Sequence, residues 1–175
     1  MDKRACVHLY TGHGKGKTTA ALGLALRAAG HGMKSIFIQF MKGQHYGELD
    51  AARRLDGLIT IEQHGSAQFC RPDDDNAEEH RRYARGALER SREVLYGGAY
   101  PLVVLDEIVT AHLFKLIRLD EILGLLKGRP EGVELVLTGR GAPSELIDAC
   151  DLVTEMREVK HYYTEGVPAR EGIEY

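Results

Sequence analysis

Short apolar runs alternate with stretches of helical period along most of this chain, and the alternation predicts its elements. Apolar positions Val7 and Leu9 precede a glycine-rich turn, and a strongly helical segment then runs to Leu26. Lys34 to Phe40 (KSIFIQF), Leu58 to Glu62 (LITIE), Pro101 to Asp106 (PLVVLD) and Glu134 to Thr138 (ELVLT) are β-branched or apolar runs of strand length. Between them, helices are expected from Glu48 to Leu55, up to Tyr96, from Leu119 to Lys127 and from Ser144 to Ala149. The helix ending at Tyr96 repeats apolar or small residues at Ala77, Tyr83, Ala84, Ala87, Leu88, Ser91, Val94 and Leu95. Its charges face the other way as a solvated surface, and Asp75 with Glu78 has the form of a capping box. Leu152 to Val159 reads as a last extended segment, and Lys160 to Tyr175 as a turn-rich tail. Strands alternating with helices predict an α/β fold, a mostly parallel sheet with helices on both faces and ligands at the strands' carboxyl ends.

The first chemical signal is Val7 to Leu26, VHLYTGHGKGKTTAALGLAL. A strand delivering Gly-rich backbone to a helix start presents unpaired amides and the positive end of the helix dipole to phosphate. Gly12, His13, Gly14, Lys15 and Gly16 form that loop. Lys17 reaches phosphate as a point charge, Thr18 offers a hydroxyl to Mg2+, and Thr19 follows. The P-loop pattern departs at one position, where Thr11 replaces the first glycine. The fold expected is therefore P-loop NTPase-like, in a single domain over residues 1–175.

The second signal is PLVVLDE. In P-loop proteins a hydrophobic strand beside the phosphate strand brings an acid to the magnesium shell, often through water. Asp106 is that acid, paired with Thr18 as the metal-side group. Glu107 is either a base that activates water or a ligand to ribose or metal. Together the two motifs establish a magnesium-nucleotide protein and leave its reaction open.

Composition narrows the setting. The chain is 43% hydrophobic and 28% charged with a net charge of −3, so neither nucleic acid nor an anionic membrane is indicated. No apolar run has the length of a membrane span, and MDKRACVHLY lacks a signal-peptide core. Cys6, Cys70 and Cys150 are scattered without C-x-x-C, which fits a reduced cytoplasmic protein. The eight histidines show no H-x-x-x-H or H-E-x-x-H spacing, which argues against protein-ligated zinc or iron.

TGHGKGKTTAALGLALRAAGHG, then IQFMKG, VVLDEI, TGRG and EVKHYYTEGVPAREGIEY resemble, in that order, the ATP:corrinoid adenosyltransferases of the CobA/CobO/BtuR type. The likeness runs from about Val7 to Tyr175 and implies a RecA-like fold and a transferase. In that family cobalt(I) of a reduced corrinoid attacks the 5′ carbon of ATP, and tripolyphosphate leaves. ATP sits reversed in the loop, with Lys15, Lys17, Mg2+ and Arg140 around the leaving group. Lys160 and His161 lie in the family-like ending, near ATP or a subunit contact. The resemblance also implies a homodimer and an electron donor such as a flavoprotein. Arg140 has a plainer alternative as a surface turn arginine.

Two departures stand out. Family members commonly carry an N-terminal extension over the corrinoid, whereas here the first strand is expected within a few residues of Met1. Their Phe- and Trp-bearing loop, which displaces the lower axial ligand, corresponds to His64–Pro72, where Phe69 is the one aromatic residue. Phe69 is either that wedge or a core-packing group. A P-loop ATPase or kinase using Glu107, and a corrinoid carrier without turnover, remain as rival functions.

Overall fold

The computed structural model describes residues 4–68 and 76–175. Its centre is a six-stranded, wholly parallel sheet: β1 (Val7–Thr11), β2 (Ser35–Phe40), β3 (Ile59–His64), β4 (Leu102–Asp106), β5 (Glu134–Thr138) and β6 (Leu152–Glu155). The spatial order is β3-β2-β4-β5-β1-β6. Parallel strands need crossovers. These are supplied by α1 (Lys17–Ala29), α2 (Gly47–Arg53), α3 (Ala77–Tyr96), α4 (Ile108–Leu113), α5 (Leu119–Gly128) and α6 (Ser144–Asp148). A 3₁₀ turn, Tyr162–Glu165, lies in the tail.

The strand period of two divides the core between two faces. Ile36, Ile38, Phe40, Val103, Leu105, Leu135 and Leu137 point to the face covered by α3, α4, α5 and α6. Phe37, Leu102, Val104 and Val136 point to the other, where α1 packs through Ala21, Ala25 and Ala29. Alanines at every fourth position let α1 lie close on the sheet and hold its N-terminus over the carboxyl ends of the strands. On α3, Ala84, Ala87 and Ser91 do the same, and Ser91 returns its hydroxyl to the Ala87 carbonyl at 2.6 Å.

The structure corrects three expectations, and the capping box, which needs Asp75, lies outside the described residues. The acid-bearing strand β4 is not beside β1, because β5 lies between them. Asp106 still reaches the phosphate loop because α1 starts across the sheet's end rather than along its own strand. Helix α3 begins at Ala77 behind Asn76 with no side-chain cap. Helix α4 was not expected: IVTAHL is one short turn-and-a-half with Ile108, Val109, Thr110 and Ala111 all buried, so it shows no amphipathic period. The last strand stops at Glu155 instead of continuing to Val159, because its partner β1 ends at Thr11, opposite Glu155.

Candidate functional site

Four strand ends and one helix start meet at the top of the sheet. Beyond β1 the loop turns under Gly12, whose φ is 96° and whose Cβ, if present, would stand 2.5 Å from the Met156 carbonyl oxygen. A side chain there has no room. Thr11, at the first-glycine position of the motif, is the last residue of β1; its carbonyl accepts from Met156 N at 2.8 Å. Gly14 N donates to Met156 O at 2.7 Å. The segment after β6 therefore braces the loop from outside. Gly16 precedes α1, and its carbonyl accepts from Ala20 N.

Lys17 is 6% exposed, and its Nζ donates to the carbonyls of Gly12 and Gly14, both at 2.8 Å. Burial pushes its pKa below the ordinary lysine value, with Arg140 adding to the effect and Glu107 and Asp106 opposing it. The lysine is thus a stored charge inside the loop, held by carbonyls that a phosphate would replace as partners.

Asp106 is the hub. Fully buried, its Oδ1 accepts from Thr18 Oγ1 at 2.8 Å and Thr138 Oγ1 at 2.7 Å. Its Oδ2 accepts from Lys42 Nζ at 2.9 Å and Gln39 Nε2 at 3.2 Å. A carboxylate without water is tolerated only when its lone pairs are filled in this way. Desolvation pushes Lys42 down, but the adjacent Asp106 outweighs it and leaves the ammonium above the ordinary lysine pKa.

The hub continues sideways. Thr138 Oγ1 also accepts from Glu107 N at 2.8 Å. Glu107 adopts a left-handed backbone, φ 62°, an uncommon setting for a non-glycine residue. Thr110 Oγ1 bonds the Glu107 carboxylate and accepts from Arg140 N at 2.9 Å. Two threonines thereby fix Asp106, Glu107 and the Arg140 backbone relative to one another.

Above this network lie two cavities. The larger, about 660 Å³, is bounded by the phosphate loop, the start of α2 and the end of the chain. The second, about 470 Å³, carries Phe40, Met41, Leu113 and Phe114 in its lining. His13, Lys42, Tyr46, Glu107 and Arg140 line both, so the cavities meet at a polar throat.

Of the residues singled out in the sequence, His13, Gly14, Lys15, Gly16, Lys17, Thr18, Thr19, Glu107, Arg140 and His161 reach the larger cavity. Gly12 shapes the loop and Asp106 lies beneath. Arg140 is exposed in the bend after β5 and lines both cavities at the throat. His161 accepts from Tyr163 N at 3.1 Å and so caps the 3₁₀ turn. Lys160 is 77% exposed, pairs with Glu165 at 2.9 Å, and lines a smaller cavity of about 260 Å³ that shares Gly14, Lys15 and His161 with the larger one. Phe69 lies outside the described residues. The sequence reading missed Lys42, Gln39, Tyr46, Thr110 and Thr138. A lysine directly after a buried strand was the available signal for Lys42; nothing local marks Thr110.

A strand and a glycine-rich loop leading through Gly-Lys-Thr into a helix, bonded to the acid at the end of β4, define a P-loop nucleotide-binding protein. The family can then be stated: the chain belongs to the ATP:corrinoid adenosyltransferase BtuR/CobO/CobP family, whose model matches residues 3–175. Among its relatives, the corrinoid adenosyltransferase of Escherichia coli (strain K12) is 34% identical over all of this chain and 88% of its own length. That of Pseudomonas aeruginosa is 35% identical over 99% of this chain and 85% of its own. The Salmonella typhimurium corrinoid adenosyltransferase CobA is 33% identical, with coverage of 100% and 88%.

Proposed function

We propose that this protein transfers the 5′-deoxyadenosyl group of ATP to cobalt(I) of a reduced corrinoid and releases tripolyphosphate. The observation that carries the reading is the throat: a phosphate cavity and a largely apolar cavity open onto one set of polar side chains. Two substrates, one polyanionic and one a large macrocycle, can meet there with their reacting atoms adjacent.

The cobalt(I) electron pair forms the Co–C5′ bond as the C5′–O5′ bond breaks, and that pair leaves on tripolyphosphate; cobalt is formally oxidised to cobalt(III). The nucleophile belongs to the substrate, so the chain has to orient and neutralise. Lys17, Arg140 and Lys42 line the larger cavity together with the phosphate loop, and with the loop amides they would neutralise the charge that develops on the leaving oxygen. Burial holds the Cys150 thiol up to about 11, which leaves that cysteine inert. The Thr18 hydroxyl and Asp106 carboxylate are hard oxygen donors and suit Mg2+. Asp106, already holding four bonds, fits a role through water. Mg2+ when bound supplies charge neutralisation of the phosphates.

The wider assembly follows the same reading: a cytoplasmic homodimer fed by an electron donor such as a flavoprotein. Phe69 is the side chain we assign to displacing the corrinoid's lower ligand, which eases reduction of cobalt(II).

The phosphate product tests the reading. Reduced corrinoid and ATP should yield adenosylcorrinoid and tripolyphosphate in equal amounts. ADP with orthophosphate, or a phosphorylated acceptor, would instead make Glu107 the base of an ATPase or kinase. Corrinoid bound with no phosphate product would make the protein a carrier. Run from cobalt(II) and from cobalt(I), the same assay should show Phe69→Ala impaired more from cobalt(II).

A further inference from the structure

Among the described residues, no hydrogen bond or ion pair ties the tail from residue 160 onward to the sheet or the six helices. Its own contacts are local: Gly172 N donates to Tyr175 O at 2.7 Å, and Ile173 N and Glu174 N both donate to Arg170 O. Glu174 is the centre of this knot. The Tyr162 hydroxyl bonds its Oε1, Arg170 N donates to its Oε2 at 2.8 Å, and the Arg170 guanidinium lies over the Tyr162 ring at 4.9 Å.

Among the described residues, every hydrogen bond and ion pair that leaves the tail ends on one atom, Lys15 Nζ. It lies 2.9 Å from Glu174 Oε1, 3.2 Å from Ile173 O and 3.4 Å from Tyr162 Oη. Lys15 stands between Gly14 and Gly16 in the phosphate loop. The end of the chain also crosses the cavity: residues 172–175 form part of its wall, and the Tyr175 carbonyl lies 3.9 Å from where a Cβ on Gly47 would stand. The tail thus spans from the loop to the start of α2. None of these four residues lines the second cavity.

We propose that Lys15 and Glu174 form a latch holding residues 172–175 as a strap across the nucleotide cavity, which makes Glu174 a positioning residue for ATP. The inference rests on the functional reading above and adds a residue to it. An ammonium has three donors. In this structure they serve Glu174, Ile173 O and, most weakly, Tyr162 Oη. A phosphate oxygen arriving in the loop can take the last place without breaking the Glu174 bond. Phosphate and strap then share one cation, and each favours the other, as reciprocal linkage requires.

The test is equilibrium binding of ATP and, separately, of corrinoid, with the full-length protein. Glu174→Gln should weaken ATP binding about three- to fivefold at low salt, the upper range of a partly exposed ion pair. Glu174→Asp should recover part of the loss, and corrinoid affinity should stay within about twofold of wild type. A second readout is amide hydrogen exchange over residues 172–175: ATP should slow it in wild type and not in Glu174→Gln. Unchanged ATP affinity in the variants, or equal losses for ATP and corrinoid, would overturn the latch while leaving the function standing. A wild-type protein that does not bind ATP would overturn the functional reading, and the latch with it.

Discussion

Asp106 shows how one residue sets the chemistry of its neighbours. Four donors converge on a carboxylate that water does not reach, so its charge is spent on holding Thr18, Lys42, Gln39 and Thr138 in place. Lys17 is different, since among the described residues its partners are only loop carbonyls, which a phosphate can replace. Lys17→Ala should abolish most turnover without unfolding the chain; a hydrogen bond to a charged group is worth roughly 1.5–3 kcal/mol before any gain in the transition state. Its lowered pKa gives a pH signature. Phosphate binding needs the protonated form, so ATP affinity should fall on the alkaline side before the ordinary lysine value of 10.5 is reached. The stability term has the opposite sign. The unfolded chain binds this proton more tightly, so between the lowered pKa and 10.5 stability from Lys17 rises with pH. ATP titrations and unfolding curves from pH 8 to 10.5 should therefore diverge, and Lys17→Ala should remove the divergence.

Among the elements, the close approach of the β5–α6 turn to α4 positions the throat. Gly139 has φ 141°, and a Cβ there would lie 2.5 Å from Thr110 N and 2.8 Å from the Val109 Cβ. Gly139→Ala adds backbone strain to a clash against main chain that has nowhere to move. The expected result is a loss of about 2–4 kcal/mol in denaturant unfolding. Turnover should fall even at temperatures where the variant is folded, because Arg140 N would leave Thr110. An active variant of wild-type stability would show that this turn does not govern Arg140. Helix α3 offers a contrast: Arg90 holds Glu62 of β3 through two bonds, at 2.8 and 2.9 Å, so one of its supposedly solvated charges is a strut.

For the molecule as a whole, β6 and the segment after it carry six of the eleven exposed large apolar side chains among the described residues. Val159 is 87% exposed, Tyr163 72% and Ile173 58%. Such a grouping near the nucleotide cavity is more apolar than a solvent-facing end requires, and it is where we place the homodimer contact. Sedimentation at micromolar concentration should show a dimer, and Val159→Glu with Tyr163→Glu should shift it to monomer. A fully active wild-type monomer would remove the dimer from the reading.

The sequence by itself determined a good deal. Periodicity placed five of the six strands within one or two residues at most ends, because buried parallel strands must be continuous apolar runs. The P-loop and the acid of PLVVLD were legible because each is a contiguous motif whose backbone geometry is local. The tertiary structure alone decided the rest. Lys42, 64 residues from Asp106, becomes its ion-pair partner only because β2 and β4 are adjacent. Thr110 and Thr138 look like ordinary polar residues until β5 inserts between β1 and β4 and brings two turns together. Helix α4 is invisible to periodicity, since a helix buried on most of its faces has no polar side to repeat. Glu174, 159 residues from Lys15, reads as part of a charged tail; only the fold brings it back to the phosphate loop. Local patterns fix which segments are strands and helices, because those depend on neighbours in the chain. Pairings between distant side chains depend on strand order, and no stretch of sequence encodes that alone.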